Sequence, residues 1–598
     1  MGHYTIIAIG FFAAYRRAIH MKSAYLVKKK NDKHALFLLG NGKFCYGSEY
    51  REAELVYIYT DCDIGFLVAN HQIVFIVRLT HADNKTSICE LSTRKFLSSN
   101  PSQIDKAGGA SFSREKVNAW ELFELEEVSE PPQWLDFYFH ALKTNSLSLL
   151  FDAISEKQSI PASFLLHILS SNSIEAVDSA IEKRIHNEDF LHGILSISRG
   201  HYLIDPIIRD ILNTADKRNP QFIGPDRDIY ARGPDINNPW SMLNSSIRRC
   251  INKTGNACIV ATARNEGVYI VEWIAYHLEL GFEKIFLYTN GNQDGSLQLL
   301  RALHKKGYIE LIESEVGDGG NAQVKAYAHA LLANASVNSY KWCAFIDVDE
   351  FISYDQSRFN SLAEYLSWVG ATGADVLALS WILAANPLHR VSWTNRPITE
   401  QLTKTSPFQS NLIKCIAKPE ACSYAGPHYP ISTHGCSLSV VNAERKRYQS
   451  DRLDNPFDIT CSSNPTFKNA YLYHFEMKSF AELVWKYSRN RGNYASVAQD
   501  IHFNDNFMDR IGHFRRCVDN GMTESIRLTV DQQSHYEKIA RILSDGDIMA
   551  ASEEVERLTL ERYEKLLTYL PIYLQRDSHE DRLRPAIRWI FENFLAID

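Results

Sequence analysis

The spacing of apolar residues changes period several times along the chain. From about residue 24 to 128 it comes in short β-type runs, at 35–39, 55–59, 73–79 and 120–125, with turn residues such as Asn41-Gly42 between them. That spacing predicts a small all-β barrel or sandwich. Glu130-Pro131-Pro132 stops regular structure, and beyond it the period becomes helical: Leu135, Tyr138 and Leu142, then Phe164, Leu165, Ile168 and Leu169, then Leu191, Ile194 and Leu195. A helical spacer is expected to about residue 212, followed by a polar, proline-bearing linker over 219–238.

From residue 256 strands and helices alternate. A buried-type strand at 257–261 leads into a helix with Ile270, Trp273, Ile274, His277 and Leu278 on one face, stopped by Gly281. Strand 284–288 is followed by a helix bearing Leu299, Leu300 and Leu303 that stops at Gly307. Strand 309–312 leads to a helix bearing Gln323 and Tyr327, and then comes the apolar run 342–346. Such alternation with short loops predicts a largely parallel sheet, whose ligands bind outside the carboxyl ends of the strands. The polar loops all fall on that edge: Arg264-Asn265-Glu266, Asn290 to Ser296, Gly317-Asp318-Gly319-Gly320, and Asp347-Val348-Asp349-Glu350. From 503 the pattern is helical again. The expected organisation is a tail (1–21), an all-β domain (22–130), a helical spacer and linker (131–250), an α/β domain (251–495) and a C-terminal helical region (496–598).

Composition narrows the function classes. With 598 residues, 45% hydrophobic and 23% charged, this is a multidomain chain of ordinary globular composition. A net charge of -7 without a concentrated basic face excludes nucleic acid as the main partner. Eleven cysteines without a C-x-x-C pair read as reduced thiols of a cytosolic compartment. The apolar run 5–15 is shorter than the roughly 20 residues that span a bilayer. Arg16 and Arg17 follow it instead of preceding it, so no secretion signal is expected, and Met21 is an alternative start. The expected location is cytoplasmic; the aromatic C-terminal stretch Trp589-Ile590-Phe591 reads first as a helix packed on the protein, with peripheral contact at the inner face of the membrane as the alternative.

Three carboxylates within four positions, where a buried strand emerges, are the main candidate for chemistry. Asp347 and Asp349, one residue apart in a DxD pattern, can both reach Mn²⁺ or Mg²⁺ carrying a diphosphate, because hard oxygen ligands suit these ions. The competing reading is a solvated strand-to-loop junction. Likewise, Arg264 reads as a nucleotide contact or a helix-start salt bridge, and Asp294 as a nucleotide contact or a helix N-cap over Gly295-Ser296.

The order of motifs carries a resemblance. Ala263-Arg264-Asn265-Glu266, Glu272-Trp273-Ile274-x-Tyr276-His277, Asn290-x-x-x-Asp294-Gly295-Ser296, Gln323-x-x-x-Tyr327 and Asp347-Val348-Asp349-Glu350-Phe351 stand in sequence. They are followed by His474-x-x-x-Lys478-Ser479 and a basic helix with Lys486, Arg489, Arg491 and Gly492. Over residues 256–492 this resembles the family 2-like glycosyltransferases, closest to the family 92 branch. The resemblance implies a GT-A fold, a Rossmann-like mixed sheet. It also implies metal-dependent inverting transfer of a sugar from a nucleotide sugar, UDP- or GDP-linked, to a glycan or glycolipid acceptor of the cell-surface polysaccharide or lipopolysaccharide type. Asp347 and Asp349 would then reach the cation and the ribose-diphosphate, and His474 would be a further metal ligand. Arg264, Glu266, Asn290, Asp294, Asp318 and Gln323 would contact the nucleotide sugar. Lys478, Lys486, Arg489 and Arg491 would gather at the leaving diphosphate, where cations stabilise developing charge.

The general base lies where the resemblance fails, since the Glu-Asp pair of many family 2 enzymes is missing from the loop Gly426-Pro427-His428-Tyr429-Pro430-Ile431-Ser432-Thr433-His434-Gly435. His428 is the first candidate, with Glu400 and His434 as alternatives. In the N-terminal region Asn41-Gly42-Lys43-Phe44, its echo Thr93-Arg94-Lys95-Phe96-Leu97 and the closing Trp120-Glu121-Leu122-Phe123 resemble fascin-like β-trefoil domains, which implies a carbohydrate- or protein-docking module. A second reading follows from it: a carbohydrate-binding or scaffold protein whose GT-A domain is inactive.

Overall fold

The computed structural model describes residues from Lys22 to Gln575 with interruptions, together with Pro585 and Arg588. Outside the described residues lie 1–21, 100–109, 213–218, 233–237, 386–393, 433–436, 452–459, 487–524, most of 576–598 and several shorter stretches. Contacts divide the chain into two units, residues 1–208 with 237–250, and residues 209–236 with 251–598. No helix among the described residues is long and apolar enough to cross a membrane.

In the first unit eleven strands pair into one antiparallel sheet. The first strand, Lys22–Lys28, pairs with the last, Glu124–Ser129, and also with Ala35–Leu38 and Tyr57–Asp61, which ties the two ends of the segment together. Leu36, Val56, Ile58, Leu67, Val77, Ile88, Leu97 and Phe123 fill its interior. Phe44 and Phe96, the aromatic positions of the two echoing segments, each open a strand.

The helices after it pack on the sheet, where Phe66, next to the interior Leu67 in its strand, lies 4.8 Å from Phe139 with the rings tilted, and the Ser163 hydroxyl donates to the Val74 carbonyl at 3.2 Å. Helix Pro239–Cys250 belongs to this unit, with Arg249 forked onto Asp178 at 2.6 and 2.9 Å. The spacer is therefore part of the packed unit, as its apolar stripes require.

The second unit is built on a mixed sheet. Its strands are β1 (Gln221–Ile223), β2 (Gly255–Ala263), β3 (Lys284–Thr289), β4 (Glu310–Ser314), β5 (Tyr340–Phe345), β6 (Glu350–Tyr354), β7 (Val376–Ala385), β8 (Ile413–Ala417) and β9 (Ala470–His474). Their order is β1-β4-β3-β2-β5-β8-β7-β9-β6. β1 through β5 are parallel; β8 runs against β5 and β7, and β6 runs against β9. The segment 219–238, expected as a linker, instead supplies the edge strand β1. The buried Lys325 ammonium binds the Gly224 carbonyl at 2.7 Å and Asp228 at 2.8 Å, fixing this segment against the domain.

Three helices follow the parallel strands: α1 (Gly267–Leu280), α2 (Ser296–Lys305) and α3 (Ala322–Ala333). Gly281 ends α1 with φ 115°, the left-handed geometry that favours glycine. The C-terminal helices α4 (Gln532–Leu543) and α5 (Gly546–Gln575) pack on α1 and α2. Val555 of α5 lies so close to Gly267 that a Cβ there would meet it at 2.7 Å. The first half of α5 is thus seated on the catalytic-type domain through the helical residues the pattern picked out. The aromatic tail 589–591 lies outside the described residues.

Candidate active site

β5 is buried from Trp342 onward, and the chain turns at Asp347-Val348-Asp349 before continuing as β6. The turn is held from below by α1. Trp273 Nε1 donates to the Glu350 carbonyl and Tyr276 Oη to the Ile352 carbonyl, both at 2.8 Å. His277 Nδ1 meets the Trp273 carbonyl at 2.9 Å while Nε2 faces the Ile352 amide at 3.4 Å. Those partners fix a neutral imidazole with its proton on Nδ1, and burial pushes its pKa down to about 3. The Glu272-Trp273-Ile274-x-Tyr276-His277 motif is therefore a cradle for β6. Glu272 itself caps the short helix Ile398–Gln401 by accepting from the Ile398 and Thr399 amides at 2.6 and 3.0 Å.

The two aspartates of the turn take different partners. Asp347 accepts from Gln323 Nε2 at 2.8 Å on one oxygen and from the Lys414 ammonium at 2.7 Å on the other. Its backbone amide donates to Glu350 Oε2 at 2.8 Å, and Lys414 lies 3.5 Å from that same oxygen. Glu350 is fully buried. Burial pushes its carboxyl up to about 8, against the pull of Lys414 and with the Asp347 charge adding to the rise. Burial alone would lower the Lys414 pKa, but Asp347 and Glu350 outweigh it and hold the amine charged.

Asp349, 5% exposed, faces His474 Nε2 at 3.5 Å through Oδ1 and Lys486 Nζ at 2.5 Å through Oδ2. Burial would raise its pKa, yet Lys486, His474 and Lys478 together keep it well below the usual carboxylate range. His474 arrives because β9 pairs with β6 in the register Glu350↔His474. Its pKa is raised, since Asp349 outweighs the burial that would lower it, and its Nδ1 is buried without a hydrogen-bond partner.

The remaining expected residues divide sharply. His428 is brought in: its ring lies 5.4 Å from Trp381, which stacks 4.3 Å from His474. Its Nδ1 faces the Ile413 carbonyl at 3.0 Å, and burial, together with Lys414, lowers its pKa to about 4. Glu400 is not brought in. It forms an exposed pair with Arg396 at 3.0 Å on the short helix Ile398–Gln401, away from the acidic turn. Glu266 reaches Lys478 at 3.5 Å, and Lys478 rests over the Tyr269 ring at 4.6 Å. With Val268, Glu476, Glu482 and Lys486 these residues line a narrow cleft beside Asp349.

Asp294 is a double cap. Its carboxylate accepts from the Gly267 amide at 3.0 Å, opening α1, and from the Ser296 amide at 3.1 Å, opening α2. Both oxygens are thereby engaged in structure, which corrects the expected nucleotide contact. Arg264 is buried at the carboxyl end of β2, and Asn290 is half-buried at the end of β3. Asp318, His434, Arg489 and Arg491 lie outside the described residues. Lys414 and Trp381 were not foreseen from the sequence.

Among the described residues no group of three or more His, Cys, Asp or Glu is arranged around a metal position. Asp349 Oδ1 and His474 Nε2 still fit one hard divalent cation, because bonds of about 2.1 Å from each can bridge their 3.5 Å separation. The other positions of the shell would fall to diphosphate oxygens and water. Asp347 has one oxygen on Gln323 and the other on Lys414.

The acidic turn, the facing imidazole and the flanking lysines thus meet at the edge of an α/β sheet where ligands of such domains bind. Residues 257–488 match the family model described as glycosyltransferase family 92, so this part of the chain is similar to that family. Family 92 proteins from Oryza sativa subsp. japonica, Ricinus communis and Arabidopsis thaliana are similar to it. They are 28% identical over 116 residues, 32% over 99 and 28% over 139, respectively. The aligned stretches cover 19%, 17% and 21% of this chain and 19%, 17% and 23% of those proteins. The chain thus matches about a fifth of the length of these curated relatives. Among solved structures, Staphylococcus aureus TarS 1–349 is 12% identical, with 51% of this chain and 83% of that one covered and a TM-score of 0.21. Mycobacterium tuberculosis glucosyl-3-phosphoglycerate synthase is 16% identical, with coverage of 28% and 59% and a TM-score of 0.17.

Proposed function

We propose that the chain is a metal-dependent inverting glycosyltransferase of GT-A type that moves a sugar from a UDP- or GDP-sugar to a glycan or glycolipid acceptor. The observation that carries this reading is the meeting of Asp349 and His474 at 3.5 Å, where the acidic turn leaves the central parallel strands. A bound Mn²⁺ or Mg²⁺ supplies Lewis-acid neutralisation of the diphosphate. Asp349 and His474 would hold it. Lys414 and Gln323 orient Asp347 toward the ribose-diphosphate, and Lys478 and Lys486 supply positive charge for the leaving group. His428 carries its proton on Nδ1, toward the Ile413 carbonyl, and so offers Nε2 to take the proton of the acceptor hydroxyl.

On this reading the N-terminal sheet is a trefoil-like docking module. The protein works in the cytoplasm against the inner face of the membrane, on acceptors destined for the cell surface. A thermal-shift panel of UDP- and GDP-sugars with and without Mn²⁺ tests the proposal, because a ligand bound only by the folded state raises its stability. One nucleotide sugar should stabilise the chain in a Mn²⁺-dependent way, and its nucleoside diphosphate should be released on adding acceptor. Stabilisation by none of them would overturn the reading.

A further inference from the structure

We propose that Lys486 is a resident counter-ion at the cation position. In the donor-free protein its ammonium holds the place at Asp349 that a metal ion takes, so a bare divalent cation binds poorly and metal and nucleotide enter together. The inference rests on the reading of Asp349 and His474 as the cation's donors.

The two lysines of the acidic turn differ in a way that makes one fixed and the other exchangeable. Lys414 has a side chain 1% exposed, is bonded to Asp347 at 2.7 Å and lies 3.5 Å from Glu350. Moving it would strip Asp347 of its buried ammonium partner. Lys486 lies 2.5 Å from Asp349 Oδ2, but its side chain is 26% exposed. It also lines the cleft whose other walls include the carboxylates Glu266, Glu476 and Glu482. A displaced ammonium therefore has acidic walls to move toward.

The backbone leading to it is anchored. Ser479 and Glu482 form a reciprocal capping box, with the Ser479 amide and hydroxyl donating to Glu482 Oε2 at 3.0 and 2.6 Å and the Glu482 amide donating to Ser479 Oγ at 3.3 Å. One turn earlier in space, Lys478 is held by Glu266 and the Tyr269 ring. The exposed part of Lys486 is its side chain, which is the part that exchanges.

Charge decides the order of binding. A bare divalent cation on Asp349 Oδ1 and His474 Nε2 would sit beside the ammonium on Oδ2, and like charges at that range in a buried site repel strongly. A cation already carrying a nucleoside diphosphate brings negative charge that Lys486 can face. The ammonium then passes from the carboxylate to a phosphate oxygen.

The test measures Mn²⁺ binding to the full chain by electron paramagnetic resonance, without nucleotide and with UDP, in wild type, Lys486→Met and Lys486→Arg. Removing the competitor should tighten binding of Mn²⁺ alone at least tenfold in Lys486→Met and leave it at the wild-type value in Lys486→Arg. Binding of Mn²⁺ with UDP should weaken in Lys486→Met. If Lys486→Met takes up Mn²⁺ alone no more tightly than wild type, the proposal is overturned. If Lys486→Met does not fold, Lys486→Gln gives the same reading. Failure of the underlying site assignment looks different: neither UDP nor, in a parallel run, GDP would then enhance Mn²⁺ binding in the wild type.

Discussion

Lys414 is the residue on which the acidic turn depends most, and replacing it by Met keeps its length while removing the charge. At an effective dielectric of about 20, its attraction to Asp347 across 2.7 Å is about 6 kcal/mol gross, while Glu350, whose buried carboxyl is pushed up to about 8, is mostly protonated at pH 7 and adds little charge attraction. Desolvation of the buried ammonium offsets most of that. The measured cost of breaking a buried pair from one side is about 3–5 kcal/mol. Asp347 is 35% exposed and regains water when freed, so the lower end applies. Glu350, pushed up to about 8 in the intact protein, is already mostly protonated at pH 7 and adds little to the cost.

Lys414→Met should therefore lose about 3 kcal/mol in urea unfolding at pH 7. Adding Glu350→Gln, which replaces a carboxyl already mostly neutral at pH 7, should recover less than about 0.5 kcal/mol of it in a double-mutant cycle. A loss below about 1 kcal/mol, within the range of an exposed ion pair, would refute the argument that this lysine holds the turn.

Asp294→Ala removes the caps of two helices and should cost about 2–3 kcal/mol, since each cap contributes roughly 1 kcal/mol, while leaving donor affinity per folded molecule unchanged in a binding titration. His428→Ala should lower kcat by about 10²–10⁴ with little change in donor KM, as expected for loss of a proton acceptor, whereas Glu400→Gln should leave both constants as they are. His277 ties stability to pH: its folded pKa is depressed to about 3, so between pH 6.5 and 3 the unfolded chain binds a proton that the folded chain refuses. Stability from this group is intact above pH 6.5 and is lost on acidification at about 1.4 kcal/mol per pH unit; His277→Asn should flatten the acid limb of the urea midpoint against pH by one proton.

The alternation of strands and helices over 257–346 was legible because the elements have clear apolar periods and the first two helices a glycine stop, and Gly281 does adopt φ 115°. The pairing of His474 with the acidic turn came only from the resemblance. A lone histidine in the run Tyr471-Leu472-Tyr473-His474-Phe475 has no local mark, and its register opposite Glu350 is a property of the folded sheet. Lys414 could have been found. It stands alone in Leu412-Ile413-Lys414-Cys415-Ile416, a strand apolar on both faces, and a charge placed there must have a buried carboxylate partner. Asp294 carried both meanings, and Asp-Gly-Ser before a helix was read as a cap as well as a contact. Glu400 was chosen for its place in the sequence after the acidic motif, which says nothing about distance in space. The edge strand Gln221–Ile223 is three residues long between prolines, too short for any period to show, and so passed for linker.

The central claim is that Asp349 and His474 jointly hold the cation of a nucleoside diphosphate. Calorimetric titration of UDP and GDP into wild type, Asp349→Asn and His474→Ala, each with Mn²⁺ and with chelator, tests it most directly. One nucleotide should bind the wild type at least tenfold more tightly with Mn²⁺, a gain of about 1.4 kcal/mol or more, and each substitution should abolish that gain. A Mn²⁺ enhancement that survives unchanged in both variants would contradict the account.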